Sequence, residues 1–398
     1  MNVRRPQDTV PHASELIRRA LALQPVLAAR AGEADQARRL PEATIAAVRE
    51  AGLFRIVQPK RWGGYEMDVG VLFDVQRTLS AGDMSAGWVC GLLAMHPWQL
   101  ALFDDRAAHD VWSDDPETLI CSSLMPTGEA TMVEGGVRLS GRWKYASGCD
   151  HAGWAFLGAA VKDDPQPPHL NRTMFLVPRA ELEIVDTWDV VGLRGTGSHD
   201  IVVKNAFVPA HRTQPFVNGF RATGAGQAVN TAPLYRLPFG QIFSRGVSTP
   251  CLGALQAMLA AFRAYGSGRA SLGVRTAEDP VAQLVTAEAA AALDEMTATL
   301  HRNFATLAAH AERGELPPIP DRLQYKFQSS IVAERCSLLA ARIVKATGAA
   351  GLSNTLPFVR ILADINAARQ HVTNQFEVVG RNFGAALLGN DAVRDLMI

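Results

Sequence analysis

Three side chains in this sequence have the type and setting to do chemistry. His371 falls in "ADINAARQHVTNQFEVVGRNFG", His96 in "AMHPWQLALF" and Ser147 at the end of "GRWKYASG". An imidazole changes charge near neutral pH and is suited to moving a proton. A serine hydroxyl can both donate and accept a hydrogen bond, so it can hold a polar edge of a ligand. His96 is followed by Pro97, and Trp98, Leu100 and Phe103 around it form an apolar wall suited to an aromatic or polycyclic molecule. Each also has a plain structural reading: a helix histidine with a local bond, or a strand-end serine satisfying its own backbone.

The composition narrows the partners. Lysine plus arginine and aspartate plus glutamate both total 39 in 398 residues, so no basic field invites nucleic acid or an anionic membrane. The cysteines, Cys90, Cys121, Cys149, Cys251 and Cys336, are scattered and lack C-x-x-C spacing. That argues against a zinc knuckle or a disulfide framework and suits a reducing cytoplasm; no metal site is expected. Cys121 and Cys149 read as small packing residues. No run approaches the ~20 apolar residues needed to span a bilayer, and the N-terminus lacks the apolar core of a leader.

Elements that must position these residues follow from periodicity. From Ser14 to about Asp110 apolar residues recur at three and four, as in "SELIRRALALQPVLAARAGEADQARRL", and predict helices. From about Pro116 short β-like runs appear, including "TLICSSLMP", "VRLSGRWKYAS" and "HDIVVKNAFVP". Without helices between them these predict an antiparallel barrel or sandwich, because parallel pairing needs a crossover. After "RATGAGQAVNTAPLYRLPFGQ" four long helical segments predict a bundle, the last running from Leu356 through His371. The expected boundaries are 1–115 for an N-terminal helical domain, 116–225 for a β-barrel domain and 226–398 for the bundle.

That order and three motifs resemble the acyl-CoA dehydrogenase fold: "SGRWKYASG" (140–148), "VGLRGTGSHDIVVKNAFVP" (191–209) and "GRASLG" (268–273). The resemblance implies a helical domain, a central antiparallel β-barrel and a C-terminal four-helix bundle around a flavin. Dehydrogenases of the family carry a carboxylate near the C-terminus, where this chain has His371 and Val372. Together with "MHPWQLALF", "GRWKYASGCDHAGW" and "GLRGTGSHD", the missing acid makes the chain similar to oxygenase components of two-component flavin monooxygenases. Within them it is most similar to hydroxylases of the 4-hydroxyphenylacetate and 3-hydroxy-steroid-catabolite type. An N- or S-oxygenating member, or an FAD-dependent acyl-CoA dehydrogenase, is the alternative.

This resemblance implies a reduced flavin, FMNH2 or FADH2, supplied by a separate reductase that alone uses NADH, and O2 as oxidant. The oxygenated flavin, a C4a-hydroperoxide, must survive in a dry pocket. Ser147, in the place of the family's threonine, is the expected hydrogen-bond donor near flavin N5. His371, with His96 second, is the expected base toward a phenol. Ser122, Ser123 and Trp143 are expected along the ring, Arg263 and Arg269 at the phosphate and Asn374 at a neighbour's cofactor. Arg194 is expected to order its own loop, and a homotetramer built as a dimer of dimers is the family's usual assembly.

Overall fold

Asp83 separates two helices by a single residue. Its backbone is extended, with φ −153° and ψ 126°, and its carboxylate accepts the Ala86 N–H at 2.8 Å. The preceding helix, α3 (Val69–Gly82), is capped the same way by Asp68. The following one, α4 (Met84–Leu100), is apolar on every side, and all of its residues are buried, as expected of a helix with no polar face. Gly91 allows close approach: a Cβ there would lie 2.1 Å from the Gln76 side chain of α3. With α1 (Ala13–Ala37), α2 (Glu42–Glu50) and α5 (Asp105–Trp112) these form the N-terminal helical layer of a computed structural model that describes residues 10–162, 171–268, 270–271 and 274–390.

Seven strands follow: β1 (Ile120–Val133), β2 (Gly136–Ala146), β3 (Trp154–Val161), β4 (Thr173–Pro178), β5 (Glu183–Val185), β6 (His199–Pro209) and β7 (Thr213–Pro215). Their order is β5-β6-β2-β1-β3-β4-β7. Among the described residues this is an open sheet with β5 and β7 at its edges, which corrects the expected closed antiparallel barrel. One pair, β1 with β3, is parallel. No helical crossover is required, because β2 itself carries the chain back and a short turn at Cys149–His151 leads into β3.

The β1–β2 ladder runs only from Glu129↔Ser140 to Val133↔Gly136. Beyond it side chains bridge the two strands: Ser123 Oγ donates to Lys144 O at 2.7 Å and Thr127 Oγ1 to Arg142 O at 3.0 Å. The Trp143 indole packs in the opening, where a Cβ on Gly128 would lie 2.1 Å from its ring, and Nε1 donates to Gly158 O at 2.6 Å.

The remaining helices are α6 (Phe216–Arg221), α7 (Phe239–Gly266), α8 (Pro280–Glu312), α9 (Ile319–Thr347), α10 (Phe358–Arg369) and α11 (Phe376–Leu387). Helix α9 packs against α7, α8, α10 and α11. The fourth long segment expected from sequence is therefore two helices, broken between Arg369 and Phe376 by a short turn at Val372–Asn374. His371 lies in that break, not within a helix. One hydrophobic core joins all three layers, from Leu16 through Phe156 to Ile365. Among the described residues no helix is long and apolar enough to cross a membrane.

Candidate active site

Trp88 is the hub of the site. From the second turn of α4 its indole Nε1 donates to Ser147 Oγ at 3.1 Å, and its ring meets the His371 imidazole edge-on at 5.8 Å. Phe243, from the first turns of α7, approaches the same imidazole at 5.9 Å. The N-terminal layer, the sheet and the C-terminal helices thus converge here, with Ser147 and His371 on one indole.

Ser147 is held by a tight turn. Tyr145 and Gly148 have φ of +66° and +71°, and the β2–β6 ladder shifts register between Trp143 and Ala146. Gly148 is the residue that permits this: it takes the left-handed region freely, and a Cβ there would meet Val89 of α4 at 2.8 Å. Its N–H donates to Thr196 O at 2.9 Å, which ties the turn to the 193–198 loop. The Ser147 hydroxyl also lies 2.8 Å from Ser198 Oγ. Arg194 orders that loop through Asp189, Val190 O and Asp35 O.

His371 caps the turn that breaks the helix. Its Nδ1 lies 3.3 Å from the Thr373 N–H and 2.9 Å from Thr373 Oγ1. By area the residue is half-buried, yet protein atoms surround the ring densely enough that loss of hydration lowers its pKa to about 4. The imidazole is therefore neutral at physiological pH. Asn374, fully buried, fastens the turn with Nδ2 to Val247 O at 3.2 Å and to Ala368 O at 2.9 Å; its Oδ1 has no partner among the described residues.

The other expected residues are placed less uniformly. His96 is eight residues along α4 from Trp88, about 12 Å at the helical rise. It is 1 % exposed, sits edge-on to Phe156 of β3 at 5.7 Å, and its Nδ1 has no partner among the described residues. Burial lowers its pKa to about 3. Ser122 is half-buried on β1, whereas Ser123 is spent on Lys144 O. Trp143 is 0 % exposed, enclosed in the sheet with its N–H satisfied. Arg263 is exposed near the end of α7, and Arg269 lies outside the described residues. Cys121 and Cys149 are buried, with thiols pushed up by desolvation.

Trp88, Phe243, Thr196 and Ser198 were not singled out by sequence reasoning. Trp88 had a signal available: it precedes His96 by eight residues in an unbroken apolar helix. Thr196 and Ser198 lie inside the "GLRGTGSHD" motif but signal nothing by type alone.

These residues fit a flavin. The isoalloxazine ring is flat and apolar on its faces and polar along one edge. Trp88 and Phe243 supply apolar surface beside the Ser147 hydroxyl, and the orphaned Asn374 Oδ1 marks an unfilled polar position at the break.

Residues 245–376 match the family described as acyl-CoA dehydrogenase, C-terminal domain. The oxygenase subunit HsaA of a flavin-dependent monooxygenase from Mycobacterium tuberculosis is 38% identical over 364 residues, 89% of this chain and 90% of that one. The oxygenase component of an FADH2-dependent resorcinol hydroxylase from Rhizobium sp. (strain MTP-10005) is 34% identical, over 96% of each chain. The crystal structure of 3-HSA hydroxylase from Rhodococcus sp. RHA1 superposes with a TM-score of 0.92 at 35% identity, covering 96% of this chain and 99% of that one. The chain belongs to the family of oxygenase components of flavin-dependent monooxygenases.

Proposed function

We propose that this enzyme hydroxylates a phenolic ring, using reduced flavin delivered by a separate reductase and O2. The observation that carries the reading is the convergence of Ser147 and His371 on Trp88, a fixed hydroxyl and a neutral imidazole on one indole. The flavin, when bound, supplies the electrons that activate O2 for transfer of one oxygen atom to the substrate. Names of relatives support an aromatic substrate, and one of them specifies FADH2.

The chain's own residues do the rest. His371, neutral above about pH 4, takes the phenolic proton on Nε2 and so raises the electron density of the ring. In the turn as observed Nδ1 accepts the Thr373 N–H at 3.3 Å, so proton uptake on Nε2 requires the other tautomer, which gives up that bond and donates from Nδ1 to Thr373 Oγ1 at 2.9 Å instead. Among the described residues nothing is hydrogen-bonded to Nε2, which leaves it for substrate. Trp88 and Phe243 orient the aromatic ring and exclude water, and Ser147 would hold the flavin at N5. Ser122 holds the ring edge, and Arg263 and Arg269 the phosphate. His96, two turns further along α4 against Phe156, contributes shape more than proton transfer, since burial disfavours its charge. Five buried free cysteines are consistent with work in the cytoplasm, and a dimer of dimers is the expected assembly.

The test mixes the protein with reduced FAD or FMN in oxygenated buffer, with and without a panel of phenols, followed by product analysis. A catechol formed only with protein, reduced flavin and a phenol together supports the reading. Peroxide alone with every phenol, or bleaching of bound oxidised flavin by an acyl-CoA, overturns it.

A further inference from the structure

Behind Ser147 lies a row of hydroxyls that the proposed chemistry does not use. Trp88 Nε1 donates to Ser147 Oγ at 3.1 Å; Ser147 Oγ lies 2.8 Å from Ser198 Oγ; Ser198 Oγ lies 2.7 Å from Thr196 Oγ1; and Thr196 Oγ1 lies 2.8 Å from Leu193 O. Thr196 and Ser198 are 2 % and 4 % exposed, so water does not substitute for these partners.

The two ends of the row set its direction. An indole nitrogen only donates and a carbonyl only accepts, while each hydroxyl has one hydrogen. Thr196 must give its hydrogen to Leu193 O, or two oxygens would face each other at 2.8 Å with no hydrogen between them. Thr196 then accepts from Ser198, and Ser198 accepts from Ser147. Ser147 receives the Trp88 N–H and has spent its own hydrogen. What it has left to offer a ligand is a lone pair.

The carbonyl at the end is itself fixed. Leu193 O also accepts Trp188 Nε1 at 2.8 Å, and Leu193 N–H donates to Asp364 Oδ1 at 2.6 Å, with Leu193 held at φ +54°.

We propose that Thr196 and Ser198 are positioning residues that lock the Ser147 hydroxyl as a hydrogen-bond acceptor toward flavin N5, so that the site favours reduced over oxidised flavin. The inference rests on the reading that Ser147 faces N5, and it turns the donor expected from sequence into an acceptor. Reduced flavin carries a hydrogen on N5 and completes the row. Oxidised flavin presents a bare nitrogen there, and two lone pairs then face each other. An unsatisfied buried polar pair lowers affinity by about tenfold or more. An oxygenase that borrows its flavin gains both capture of the reduced form and release of the spent one.

The experiment is a pair of titrations for each variant, oxidised FAD in air and reduced FAD under anaerobic conditions, read by flavin and tryptophan fluorescence. Each variant is first checked by thermal melting. In Ser198→Ala the Ser147 hydrogen is free to turn toward N5, so oxidised FAD binds about tenfold tighter while reduced FAD changes little. Thr196→Val moves the ratio the same way, and Thr196→Ser and Ser198→Thr retain the wild-type ratio. Parallel weakening of both redox forms in Ser198→Ala and Thr196→Val means a merely structural role and overturns the proposal. Ser147→Ala separates the two layers of the argument. If it lowers the ratio while the Ser198 and Thr196 variants leave it intact, the row is idle although Ser147 faces N5. If Ser147→Ala leaves the ratio unchanged, the placement of Ser147 at N5 falls as well.

Discussion

The turn after β2 and the break after α10 meet at Trp88, but they hold their polar groups in opposite ways. Ser147 is fixed from outside, by Trp88, Ser198 and a loop more than forty residues away in sequence. His371 is fixed from within its own turn, by Thr373 two residues on, and keeps one ring nitrogen free. A hydroxyl with its hydrogen committed can select a cofactor's protonation state; an imidazole with an open nitrogen can change its own. On the proposed reading the two sides of Trp88 divide recognition from proton transfer.

The sharpest way to break this division is to remove the imidazole. His371→Ala is expected to lower hydroxylated product per second by about 10²- to 10⁴-fold, the range for loss of a general base. Reduced-FAD affinity should stay within a few-fold of wild type. If affinity collapses and turnover per bound flavin survives, the roles of the two sides are reversed.

The next largest effect lies on the serine side. Gly148→Ala puts a Cβ 2.8 Å from Val89 at φ +71°, and should lower unfolding free energy by about 1–3 kcal/mol. Gln370→Ala at the start of the other turn, with only a helix-end bond, should stay within about 0.5 kcal/mol. Chemical denaturation of both variants reads the comparison, and equal stabilities would mean that the β2 turn is not under external constraint.

The acid limb of stability tests the state of the imidazoles. Burial lowers the pKa of His371 to about 4 and of His96 to about 3, against 6.5 for the free side chain. Between those values the unfolded chain binds protons that the native one does not. Their contribution is therefore fully present above about pH 6.5 and is lost as pH falls toward 4. Melting temperature should drop between pH 7 and 5, and His371→Asn should reduce that drop. An unchanged acid limb in the variant would mean that His371 titrates alike in the folded and unfolded chains.

How much of this was legible in the sequence depends on whether the cause is local. Apolar periodicity outlined the helices on both sides of the strands, and the motif containing Ser147 and the position of His371 were both readable. The helix break at His371 was not, because "QHVTNQ" contains no glycine or proline; the break is stabilised by Asn374 reaching Val247 on another helix. The open sheet was also hidden, since β2 serves as the crossover that a parallel pair requires and nothing in its composition says so. Trp143 resembled a cofactor wall by motif, yet it fills the gap where β1 and β2 part. Contacts between distant segments, such as Ser147 to Ser198, leave no trace in either segment alone.

The smallest expected effect concerns the support beneath the serine side. Asp364 is buried with Asp83 and Asp35 nearby and Arg360 as a facing cation at 4.0 Å; burial raises its pKa to about 8, against 3.8 in the free side chain. Here the native chain binds the extra proton, so the contribution is present at low pH and is lost as pH rises through about 8. Asp364→Asn keeps an oxygen for the Leu193 N–H and removes the titration. It should therefore gain stability relative to wild type progressively as pH rises from about 4, with the difference levelling off above about pH 8, as read by denaturation at pH 5, 7 and 9. Because Leu193 ends the hydroxyl row, the variant should also make the preference for reduced FAD independent of pH between 7 and 9. A preference in wild type that already ignores pH over that range would separate the carboxyl from the serine side altogether, leaving it as a buried joint between α10 and the 193–198 loop.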